Sequence, residues 1–84
     1  MEDKKEIMFQ FVTEKRQLEK LREELIAEYN DLVFTKEEAA EEVEKEIHTV
    51  NNGINRLSTE IRIIKNSTPE ATLKEWGREY NSKK

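Results

Sequence analysis

The chain has no cysteine, which excludes disulfides, thiol nucleophiles and cysteine-based zinc sites. Proline occurs once and glycine twice in 84 residues, so there are few places where a helix is forced to break. No apolar run approaches the ~20 residues that a membrane-spanning helix requires. The opening segment MEDKKEIMFQ carries acids from its second residue and lacks the apolar stretch of a signal peptide. These absences predict a soluble, cytoplasmic protein without membrane contact.

Groups for catalysis are scarce as well. The single histidine, His48, has only Glu44 at helical spacing on its side. A helical-bundle metal site uses several inward-facing carboxylates and histidines, so His48 reads as a solvent-facing or seam-edge residue. Ser58, Ser67 and Ser82 have no base or orienting group nearby in sequence, as nucleophilic catalysis would need, and the glycines are too far apart to form a phosphate-binding loop. The expectation is a protein that is not an enzyme and has no cofactor, metal or catalytic residue.

What the chain has in abundance is charge. Charged residues make up 40% and the hydrophobic set 35%, the balance of long amphipathic helices whose charge covers every face but one stripe. Net charge is −4, which disfavours nucleic acid on average. Its distribution is uneven: residues 35–50 hold six acids and two bases, and residues 51–66 one acid and three bases. Glu37, Glu38, Glu41, Glu42, Glu44 and Glu46 read as a solvated face suited to the positive end of a helix dipole. A sharper alternative is that they imitate the phosphates of DNA.

Between Ala40 and Ile64 the residues Ala40, Val43, Ile47, Val50, Ile54, Leu57, Ile61 and Ile64 step alternately by three and four. That is a coiled-coil seam, and it requires a second helix beside it. A less regular stripe precedes it: Phe11, Leu18, Leu25 and Leu32 fill one heptad position, while Ile7, Glu14, Leu21 and Glu28 fill the other. Met8, Phe9, Val12, Ile26 and Tyr29 lie off this seam and widen the apolar face. Thr35 with Glu38 forms a capping box, and Phe34 with Ala39 a possible hydrophobic staple. These signals favour a turn near residues 33–35 over one uninterrupted helix. A turn centred near residue 34 would set Leu25 against Val43, Leu21 against Ile47, Leu18 against Val50 and Glu14, unfavourably, against Ile54. Asn51-Asn52-Gly53 is a turn signal, but the heptad passes through it in phase, so the second helix is expected to continue there with its weakest turn.

Thr68 and Pro69 suit the cap and first position of a third helix, on which Leu73, Trp76 and Tyr80 form a short stripe; Asn81 to Lys84 reads as a frayed tail. The expected fold is thus all-α over residues 1–84: helices at about 3–33, 36–65 and 69–80, the first two an antiparallel coiled-coil-like hairpin, the third short and C-terminal. A lone hairpin leaves apolar surface uncovered, so dimerisation into a helical bundle is expected, with Met8, Val12, Ile26 and Tyr29 buried between protomers. The functional expectation is a small acidic adaptor, assembly factor or regulatory inhibitor that binds another protein. Its protein-binding residues would be Leu73, Trp76, Tyr80, Met8 and Val12, because aromatic side chains bury large area with few rotamers. The competing expectations are a self-assembling coiled coil and a nucleic-acid-related role that includes DNA mimicry. A purely structural reading also exists for Leu73, Trp76 and Tyr80, in which the third helix folds back over Met8, Phe9 and Val12.

Overall fold

A computed structural model describes residues 3–82 and contains three helices, α1 (Lys4–Thr35), α2 (Glu37–Asn66) and α3 (Glu70–Ser82), with no strand among the described residues. Helices α1 and α2 pack along each other as a hairpin, giving a rod of 51 × 23 × 21 Å. Asp3 starts α1, its carboxylate accepting a hydrogen bond from the Lys5 amide. Helix α3 reaches Ser82, whose hydroxyl donates to the Glu79 carbonyl at 2.9 Å. Of the tail expected to fray, Asn81 and Ser82 are therefore helical, and Lys83 and Lys84 lie outside the described residues.

The α2 seam faces α1 along its whole length. Ala40, Val43, Val50 and Ile54 are buried, and Ile47, Leu57, Ile61 and Ile64 are half-buried. On α1 the core residues are Leu25, buried, with Leu18, Tyr29 and Leu32 packed against the cluster that it forms with Val43, Val50 and Ile54. One heptad position therefore sits one residue later than the sequence pattern implies. Tyr29 and Arg22 turn toward α2, while Leu21 is 41% exposed and Glu28 lies in solvent. Burying Glu28 would strip a carboxylate of water without a partner. Tyr29 fills the same space with an aromatic ring, and Arg22 lays its stem along the seam and donates to Asn51 Oδ1 at 3.0 Å. Tyr29 is thus committed to the core of its own hairpin and is not left over for a dimer interface.

The turn also differs from the expected one. Helix α1 runs through Thr35, whose hydroxyl bonds back to the Asp31 carbonyl at 3.3 Å. Lys36 alone connects the helices, and no side chain caps α2. The capping box does not form because Thr35 is used as the last residue of α1. The staple does not form either, since Phe34 is 89% exposed at the tip. Moving the turn from residue 34 to Lys36 shifts every pairing by about one helical turn. Leu18 lies against Gly53 instead of Val50, Arg22 meets Asn51, and the Lys4 ammonium reaches the Ser67 carbonyl at 3.1 Å. In this register Glu14 is level with Ser58 and escapes Ile54; it accepts a hydrogen bond from Gln10 at 3.4 Å.

The Asn-Asn-Gly stretch stays helical, and the register explains its composition. Asn51 receives Arg22, and Gly53 admits Leu18, whose Cδ1 would stand 3.1 Å from a Cβ placed there. At the other end of α2, the Ile64 carbonyl accepts from the hydroxyls of Ser67, at 3.1 Å, and Thr68, at 2.7 Å. Thr68 therefore satisfies the end of α2 and does not cap α3. The Pro69 carbonyl opens α3 by accepting from the Leu73 amide at 3.1 Å.

Candidate functional site

Helix α3 folds back along the first third of α1, and four side chains of α1 hold it there. Lys5 Nζ lies 3.1 Å from Glu79 Oε2 and donates to Glu79 Oε1 at 3.3 Å. That hydrogen bond, with the carboxylate's charge, raises the Lys5 pKa above its ordinary value. Tyr80 is engaged from three sides. Its ring meets Phe9 edge-on, with centroids 5.2 Å apart and planes at 67°. Its hydroxyl is 2.8 Å from Thr13 Oγ1, and the Arg16 guanidinium lies over the ring at 5.0 Å, a cation–π distance.

This docking closes only one side of α3. Between it, α1 and the end of α2 runs a groove of about 380 Å³. Met8 and Val12 lie along α1, Ile61 closes the α2 side, and Leu73 and Trp76 form the α3 wall. All five are half-buried. Among the described residues, Lys15, Arg16 and Lys65, with Glu19 as the single acid, contribute the charges of its lining. An apolar trough with three cations and one anion can accept an apolar or aromatic side chain from a segment with acidic flanks.

The five residues singled out from the sequence, Leu73, Trp76, Tyr80, Met8 and Val12, all line this groove, though not equivalently. Tyr80 fastens α3 to α1, while Trp76 and Leu73 line the groove half-buried, with no polar or ring contact to α1 among those described. The cationic lining was not read from the sequence, because Lys15 and Arg16 stand among seven further charges from Glu14 to Glu28. Only the place where α3 docks distinguishes them.

The remaining candidate groups stay apart. His48 Nε2 is 3.9 Å from Glu44 Oε1, both side chains more than half exposed, and no group of three or more potential metal ligands gathers among the described residues. The six glutamates of residues 37–46 are all exposed. No helix among the described residues is long and apolar enough to cross a membrane. No family model matches the chain, and no curated protein or solved structure matches it.

Proposed function

We propose that this is a non-enzymatic protein-interaction module that uses the groove beside α3 as its docking surface, in the manner of an adaptor, assembly factor or inhibitor. The observation that carries the reading is the half-buried Trp76 in the wall of an apolar trough lined by Lys15, Arg16 and Lys65. Tryptophan concentrates binding energy when its contact area is enclosed by a partner, and the cations favour partners with acidic flanks.

The test replaces Trp76 with alanine, leaving the Tyr80 anchorage in place. Full-length wild type and variant are used as baits in parallel, and their helicity and thermal melting are compared. Captured protein should be lost with the Trp76→Ala bait while helicity is retained. Collapse of helicity and melting together would show that Trp76 belongs to the core and that docking occurs elsewhere.

A further inference from the structure

Helix α3 is 13 residues long and α1 is 32, about 20 and 48 Å at 1.5 Å per residue. It therefore covers less than half of the α1 face on which it lies. On a helix that turns about 100° per residue, Met8, Glu19, Ile26, Val33 and Phe34 all project within about 60° of Val12. The groove occupies the N-terminal half of this face. Its C-terminal half carries three of the five large apolar side chains that are exposed among the described residues: Ile26 at 42%, Val33 at 41% and Phe34 at 89%. Near Phe34 stand Asp31, Glu37 and Glu38, with Lys36 the one cation among them, all exposed. One face thus holds an apolar trough with a cationic lining at one end and an aromatic side chain with acidic flanks at the other. The two are separated by some 25 residues of rigid helix, so a chain cannot fill its own groove.

We infer that the occupant of the groove is Phe34 of a second copy of this chain, in a two-fold antiparallel dimer in which each α1 lies along the other. The inference rests on the groove being a protein-docking surface and names its partner. Laying one rod antiparallel on the other, with Phe34 between Met8 and Val12, sets the two-fold axis near residue 22 of α1. Both grooves are then filled at once, and Asp31 of the second copy comes within about a turn of Arg16 and Lys15. Because the interface uses the same patch on both chains it closes at two, whereas a head-to-tail contact would propagate.

The experiment is sedimentation of full-length wild type, Phe34→Glu and Trp76→Ala, with circular dichroism as a folding control. Phe34 contributes nothing to its own core, so Phe34→Glu should keep wild-type helicity. Wild type should sediment at twice the 10.0 kDa of the chain, and each variant as a monomer at the same concentration. An equimolar mixture of the two variants should recover part of the dimer, because one chain brings an intact groove and the other an intact Phe34. Trp76, the sole tryptophan, reports independently: dilution should shift its emission to the red in wild type and leave it unmoved in Phe34→Glu. A Phe34→Glu variant that dimerises as wild type does, or species larger than two chains, would overturn the arrangement. A monomeric wild type that still captures a protein through Trp76 would overturn the two-fold arrangement alone, and one that neither dimerises nor captures would overturn the docking surface too.

Discussion

The two glycines differ in what surrounds them, and that difference decides what a methyl group would do. Both sit inside helices, where glycine costs about 1 kcal/mol relative to alanine. A Cβ at Gly77 meets nothing within 4 Å, whereas one at Gly53 stands 3.1 Å from Leu18 Cδ1. Gly77→Ala should therefore stabilise α3 by up to ~1 kcal/mol. Gly53→Ala should gain less, because Leu18 has to give way in the packed seam and overfilling a core costs ~1–3 kcal/mol. Thermal melts of the two variants check the ordering; an equal gain would mean that the Leu18 contact carries no cost. Gly53 also marks how much a local rule can conceal. Asn-Asn-Gly reads as a turn when taken alone, and its meaning as a close-approach point appears only with the helix packed against it.

At the scale of elements, α3 depends on side chains reaching across to α1, and the ion pair of Lys5 with Glu79 is one of its ties. A lysine whose folded-state pKa is raised adds stability that is fully present below its unfolded pKa and disappears as pH rises through the folded one. The Lys5 pKa is raised, first by the hydrogen bond to Glu79 and then by that carboxylate's charge. Docking of α3 should accordingly hold through neutral and mildly alkaline solution and loosen above the ordinary lysine range. Hydrogen exchange of the α3 amides in wild type and Lys5→Met, compared after correction for the intrinsic pH dependence of exchange, checks this. The variant should show faster exchange below that range and a smaller alkaline change, while an identical profile would remove Lys5 from the docking. The elements themselves were legible to different degrees. The α2 seam was plain because eight apolar residues keep one phase without a charged interruption. The α1 stripe was ambiguous because Glu14 and Glu28 occupy one of its positions. Its resolution depended on Arg22 finding Asn51 and Tyr29 finding the cluster around Leu25, which are contacts between residues far apart in sequence. The turn was displaced because Thr35 can either end one helix or cap the next, and local pattern does not decide between them. The candidate site was legible as a set of side chains, since Leu73, Trp76 and Tyr80 share a stripe. The division between Tyr80, which fastens, and Trp76, which lines, required the positions of Phe9, Thr13 and Arg16.

For the whole molecule, stability is concentrated in a small place. Among the described residues five apolar side chains are buried, including Leu25, Val50 and Ile54, and a domain of this size gains only ~3–5 kcal/mol from its own core. Replacing a buried leucine with alanine costs ~2–5 kcal/mol, comparable with that total. Leu25→Ala should therefore lose the cooperative melting transition of the hairpin, with helicity at ambient temperature well below wild type. Circular dichroism over a temperature ramp is the measurement. A variant that melts within a few degrees of wild type would mean that stability resides elsewhere, with association between chains the first alternative to weigh.

The single-residue connection at Lys36 has a consequence for how the rod forms. With one residue between the helices, the contacts nearest the tip join residues only a few positions apart, and each further contact along the seam adds only a small increment of loop to close. Assembly can thus proceed as a zipper from the tip, each turn of paired helix reducing the search for the next, which places the hairpin among the fast folders of low contact order. Helix α3 is excluded from that process until its end, because the residues that receive it, Lys5, Phe9, Thr13 and Arg16, belong to the half of α1 that pairs last.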